Sequence, residues 1–171
     1  MTGMIAAGVC IALVLFNLFS LGVVVWRCRQ RKVSVSHRLA QTGLPDPTPP
    51  VSIVRPVCGL EPHSELTLRS TFELDYPDYE VIFCVQKKND PIIPLVQKLI
   101  AEQPEGRGRL LIGDDPISPN PKLNNCFKGW QAAKHQFIVL ADSNVLAPRD
   151  YLQQMLVRFT PDIGLVCSPP L

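Results

Sequence analysis

No acidic residue occurs in the first 38 positions, and no charge of either sign occurs between Met4 and Trp26. The chain also lacks a Gly-x-Gly-x-x-Gly run and a P-loop lysine signature, so neither of those nucleotide cradles is written in it. Its six cysteines (Cys10, Cys28, Cys58, Cys84, Cys126 and Cys167) never fall at Cys-x-x-Cys spacing, which argues against a zinc or dithiol centre. They are also too few for a disulfide-stapled miniprotein. The histidines His37, His63 and His135 are isolated, and none sits near a cysteine in a protease-like signature. Clustered basic residues are missing from the body of the chain: after position 38, 12 Lys and Arg stand against 15 Asp and Glu. A nucleic-acid partner is therefore not expected, because phosphate affinity comes from clustered Lys and Arg.

What remains is a chain of 171 residues, 46% hydrophobic, long enough for one ordinary domain or a smaller one with an attachment. Seventeen prolines, about twice the average usage of about 5%, mark many turns and boundaries. The uncharged run from Met4 to Trp26 would extend about 34 Å as a helix, enough for a hydrocarbon core of about 30 Å. Trp26 suits an interfacial position, and Arg27, Arg29, Arg31 and Lys32 follow at once. By the positive-inside rule the N-terminus lies outside and everything after Arg27 is cytoplasmic. A cleaved secretory signal carries its charge before a shorter apolar core, the reverse of this order. Residues 1–26 thus read as a signal-anchor helix, and 27–50 as a basic juxtamembrane segment and a linker carrying Pro45, Pro47, Pro49 and Pro50. The folded part is expected over 51–171.

From Val51 onward short apolar runs alternate with helical stretches. Strands are expected at 51–55, 79–85, 109–112, 137–141 and 163–167, and helices at 65–72, 91–102, 122–133 and 149–159. That rhythm implies an α/β fold with a mainly parallel sheet, whose ligands bind at the carboxyl ends of the strands. Cys84 and Cys167 fall in expected strands and read as small buried hydrophobes.

Several polar residues gather at those strand ends. Asp90 supports two readings: the N-cap of a helix entered through Asn89-Asp90-Pro91, or a carboxylate that meets a nucleotide. Asp142 leaves a buried strand either into an Asx turn with Ser143 and Asn144 or toward a divalent cation on a diphosphate. Lys122 opens a helix, where the macrodipole disfavours a cation, so it is either solvated or near a bound phosphate. Of Asn124 and Asn125, both weak helix formers, at least one is expected to face the site.

These segments resemble ceramide glucosyltransferases and their bacterial relatives, inverting lipid glycosyltransferases with the Rossmann-like GT-A fold. The carriers are VSIVRPVCGLEP, STFELDYPDYEVIFCVQKKNDP, RLLIGDDPISPNPKLNN, FIVLADSNVLAPRDYL and IGLVCSPP, spread from about Val51 to Pro170. The resemblance implies transfer of glucose or a related hexose from a UDP-sugar to a lipid such as ceramide at the cytosolic membrane face. It places Arg55, Pro56 and Asp90 at the nucleotide, where the residue reading adds Lys122 and Asn125, and it places Asp142 at magnesium or manganese. Asn144 stands where the metal motif has a further acid, so coordination rests largely on Asp142. The family's third aspartate, the general base, and its Arg-Trp motif are expected beyond Leu171, and the 171 residues alone are expected to be inactive. The alternatives are a non-catalytic, membrane-tethered nucleotide-sugar-binding module and a hopanoid-pathway type of glycosyltransferase. A bacterial inner membrane and a Golgi membrane suit the anchor equally, and the sequence does not speak to oligomeric state.

Overall fold

The computed structural model describes residues 2–42 and 48–168. It divides into two compact units, Met1–Gly43 and Leu44–Leu171. The first is a single helix, α1 (Thr2–Thr42), within which Ala7–Arg29 is long and apolar enough to cross a bilayer. Its one strongly polar side chain before the basic cluster, Asn17, donates to the Leu13 carbonyl at 3.0 Å, so it needs no water. The helix continues well past Trp26, where the sequence reading ends it. Residues 27–42 contain neither glycine nor proline and include four Arg, a Lys and two Gln, all good helix formers, so nothing interrupts the hydrogen-bond ladder. The prolines at 45 and 47 of the expected linker lie outside the described residues.

The second unit contains β1 (Val51–Pro56), α2 (Ser64–Arg69) extended by a 3-10 turn at Ser70–Phe72, β2 (Tyr79–Val85), α3 (Ile93–Ala101), β3 (Gly108–Ile112), α4 (Pro121–Ala132), β4 (Phe137–Leu140) and α5 (Tyr151–Leu156). The four strands are parallel in the order β3-β2-β1-β4. Every residue of β1 and β2 is buried, as expected for strands covered on both faces. One face carries Ile53, Val81 and Phe83 against Leu68 of α2, Val96 and Leu99 of α3, and Leu152 and Leu156 of α5. The other carries Val54, Ile82 and Cys84 under α4.

The expected fifth strand does not form. The run Ile163–Cys167 has strand-like composition, but a strand also needs a neighbour to pair with, and this segment makes no ladder with β4. A groove of about 1080 Å³ lies between β4, α5 and residues 160–168, and Leu165 is 78% exposed. Cys167 is consequently exposed, whereas Cys84 is buried as expected, its thiol pushed up to about 12 chiefly by burial.

The amino end of the sheet is closed by Glu80. The Ser52 hydroxyl donates to it at 2.7 Å, the Lys134 backbone N–H at 2.8 Å, and Arg109 through two nitrogens at 2.8 and 3.1 Å. Burial pushes the carboxyl upward, but these donors together outweigh burial and hold its pKa below the ordinary value. At the middle of the sheet α4 approaches β1 closely through Gly129.

Two outcomes follow from these contacts. Because the folded pKa of Glu80 is depressed, its stabilisation is complete above the unfolded carboxylate value of about 4.3 and is lost as pH falls through the folded value. Chemical-denaturation midpoints should therefore drop more between pH 6 and pH 3 in the wild type than in Glu80→Gln. An alanine Cβ at position 129 would overlap Val54 Cγ1 and lie 2.9 Å from Cys84 Sγ. Gly129→Ala should therefore lower stability by about 1–3 kcal/mol, seen as a fall in melting temperature.

Candidate functional site

The parallel order brings the carboxyl ends of all four strands to one rim. A cleft of about 220 Å³ opens there. Pro56, Val57 and Cys58 line it from the end of β1, Gln86 from the end of β2, Pro121, Lys122 and Asn125 from the start of α4, and Asp142, Ser143 and Asn144 from the loop after β4.

Asn120 and Pro121 set where α4 begins. The Asn120 side-chain oxygen accepts from the backbone N–H groups of Lys122 at 3.0 Å and Leu123 at 3.4 Å, with Pro121 in the first turn. Lys122 therefore projects into the cleft, where its ammonium meets Asp142 Oδ1 at 2.7 Å. This pairing resolves the misfit of a cation at a helix start: the carboxylate across the cleft offsets the unfavourable dipole. Both side chains remain largely in solvent, so the pair is weak and open to exchange.

Asn124 and Asn125 divide their work. The Asn124 oxygen accepts from the Ser118 backbone N–H at 2.9 Å and hydroxyl at 3.0 Å, while its amide donates to the Ser118 carbonyl at 3.0 Å. It pins the β3–α4 loop. Asn125 lines the cleft, is only 5% exposed, and takes no side-chain hydrogen-bond partner among the described residues.

Asp90 lies on the same rim but does not line this cleft. It is 7% exposed, and its Oδ1 accepts from the Ile92 backbone N–H at 3.0 Å and from Gly59 N–H at 2.9 Å. The first bond closes a turn ahead of α3, which starts at Ile93 with Ile92 as its N-cap, so Asp90 is not the helix N-cap that its sequence position suggests. The second ties the β1–α2 loop to the β2–α3 loop, at a residue whose φ of +70° suits glycine.

Arg55 and Pro56, neighbours in β1, point opposite ways. Pro56 lines the cleft, whereas Arg55 is buried behind it, 1% exposed. The Arg55 guanidinium donates to the Thr67 carbonyl at 2.8 Å, the Thr71 hydroxyl, the Asp142 carbonyl at 2.6 Å and the Val145 carbonyl at 2.9 Å. Burial pulls it down to about 10, opposed by the charges of Tyr151 and Asp142.

Residues not singled out in the sequence complete the frame. The Thr67 hydroxyl donates to the Ser143 carbonyl at 2.8 Å, and the Ser70 hydroxyl accepts from Ala147 N–H at 3.0 Å. Thr67, Ser70 and Thr71 recur at helical spacing on a buried face, and that polar stripe was the available signal. Lys128 donates to the Val85 carbonyl at 3.3 Å and to the Gly113 carbonyl, closing the ends of β2 and β3.

Asp142 is the one carboxylate lining the cleft, and among the described residues no group of three or more His, Cys, Asp or Glu could hold a metal ion. As Asp90 Oδ1 accepts two hydrogen bonds, one local and one between loops, Asp90→Ala should cost about 1–3 kcal/mol. Asp90→Asn, which keeps an acceptor oxygen, should recover most of that in a thermal melt.

The pattern for glycosyl transferase family 21 matches residues 12–171. A ceramide glucosyltransferase of Komagataella phaffii is 44% identical over 107 residues, covering 58% of this chain and 21% of that protein. One from Candida albicans is 35% identical over 127 residues, covering 67% of this chain and 23% of its own length. Ceramide glucosyltransferase 1 of Caenorhabditis elegans is 31% identical over 120 residues, covering 70% and 26%. The chain thus spans roughly a fifth to a quarter of the length of these relatives. Among solved structures, the mannosyltransferase PcManGT from Pyrobaculum calidifontis, in complex with GDP-Man and Mn2+, superposes with a TM-score of 0.54 at 24% identity, over 72% of this chain and 37% of that one. Staphylococcus aureus TarS gives 0.50 at 17% identity, over 61% and 18%. At these identities the likeness is one of fold, and it places the parallel sheet in the GT-A type. With its profile matched over nearly the whole length, the chain belongs to glycosyl transferase family 21.

Proposed function

We propose that residues 51–168 form the donor-binding part of an inverting glycosyltransferase that moves glucose or a related hexose from a UDP-sugar to a lipid hydroxyl, ceramide being the model acceptor. The observation that carries this reading is a cleft at the carboxyl rim of a parallel sheet, in which Lys122 and the buried, unpartnered Asn125 of α4 meet Asp142 from the loop after β4. Such a rim is where open α/β sheets take their ligands.

The residues suit a diphosphate. Lys122 can release Asp142 and turn to the phosphate oxygens, because the exposed pair contributes little by itself. Asn125 offers one amide donor and one acceptor from a rigid, buried position, and Pro56 walls the cleft beside it. Asp90 then serves the nucleotide indirectly through the loop it ties at Gly59, with direct contact to the base as the closer form of the same assignment.

A single carboxylate fits magnesium or manganese only if the diphosphate contributes further oxygens, which is the usual habit of magnesium sites. When bound, the ion would neutralise the developing charge on the leaving diphosphate. Asp142 is the residue that would hold it, since Asn144 offers only an amide oxygen.

The lipid acceptor and the cytosolic setting are supported by the names of the relatives and by the apolar span of α1, with Arg27 and Arg29 at its end.

The test is titration of the 171-residue chain in detergent with UDP, with and without Mn2+. UDP should bind, Lys122→Ala should weaken it about tenfold, as expected for loss of a charge-assisted contact, and Asp142→Ala should abolish the Mn2+-dependent gain. Unchanged affinity in both variants would remove the assignment.

A further inference from the structure

A buried arginine normally carries a carboxylate partner, since an uncompensated charge is expensive to remove from water. Arg55 has no carboxylate within ion-pairing distance; oxygens of the backbone and one threonine hydroxyl receive its protons. Its Nε is buried and makes no hydrogen bond. An aliphatic side chain would fill the same space without desolvating a charge, so packing alone does not account for the guanidinium.

The partners are informative. Nη1 holds two groups on α2 and its 3-10 extension, the Thr67 carbonyl and the Thr71 hydroxyl. Nη2 holds the carbonyls at both ends of the Asp142–Val145 turn, at 2.6 and 2.9 Å, while that turn closes on itself through Val145 N–H to the Asp142 carbonyl at 3.3 Å. The turn cannot move outward without stripping two hydrogen bonds from a cation that water does not reach. Arg55 itself rises from β1, which is paired on both sides and buried at every position. The backbone of Asp142 is thereby referred to a strand buried along its whole length, at a residue next to Pro56 on the cleft wall.

We infer that Arg55 is the positioning residue for Asp142: it fixes the Asp142–Val145 turn so that the carboxylate meets a nucleotide-borne cation, without itself touching the ligand. This deepens the donor-binding reading of the same cleft and rests on it.

The experiment is a double-mutant cycle on the 171-residue chain in detergent, reading UDP affinity with and without Mn2+ for Arg55→Met, Arg55→Lys, Asp142→Asn and the paired variants. In the presence of Mn2+, Arg55→Met should weaken UDP about tenfold, with no change when Mn2+ is withheld and no further loss in the Asp142→Asn background. Arg55→Lys, which retains a buried charge, should recover part of the loss and serves in place of Arg55→Met if the latter does not fold. Equal weakening with and without Mn2+, or full additivity with Asp142→Asn, overturns the inference. Hydrogen exchange at the Val145 amide separates this from the functional reading, because it needs no nucleotide. Faster exchange in Arg55→Lys supports the hold on the turn even if UDP fails to bind the wild type, an outcome that would sink the function alone. Unchanged exchange overturns the inference.

Discussion

Parallel pairing on both sides of β1 is the constraint from which the rest of this unit follows. It buries the strand completely, which demands apolar cover above and below and so places α2, α3 and α5 on one face and α4 on the other. It also aligns the strand directions, so that four loops leave the sheet at the same rim. A cleft assembled from the ends of β1, β2 and β4 and the start of α4 is therefore a topological product. None of its parts is close to all the others in sequence.

The two ends of the sheet treat charge in contrasting ways. At the amino end an anion, Glu80, is surrounded by donors from three strands' worth of chain and is spent on cohesion. At the carboxyl end the buried group is a cation, Arg55, whose hydrogen-bond partners are dipoles and whose charge is offset only without direct pairing, chiefly by Tyr151 and Asp142. With Lys122 on the opposite wall, Asp142 sits between two positive groups. That surplus suits an anionic ligand better than a bare metal ion, and it matches a site in which the cation arrives together with phosphate.

Much of the architecture was legible because it depends on local chemistry. Apolar runs marked all four strands, a helix was expected close to where α4 forms, and Asp142 emerged at the end of a strand as its position implied. The failures have a common cause, which is that pairing and direction are tertiary properties. Residues 163–167 carry strand composition but make no ladder, and the basic stretch after Trp26 stays helical because nothing in it stops a helix already under way. Arg55 and Pro56 were read together at the nucleotide, yet alternation along a strand sends adjacent side chains to opposite faces, and only one reaches the cleft. The stripe of Thr67, Ser70 and Thr71 is a faint signal, because a few small polar residues on a short helix gain meaning only from the loop they hold.

The four-residue strand β4 has a partner on only one of its sides among the described residues, and its Leu140 is 57% exposed. A row of unanswered amide and carbonyl groups beside greasy side chains invites strand exchange between molecules, so concentrated preparations of this chain would be prone to self-association along that margin.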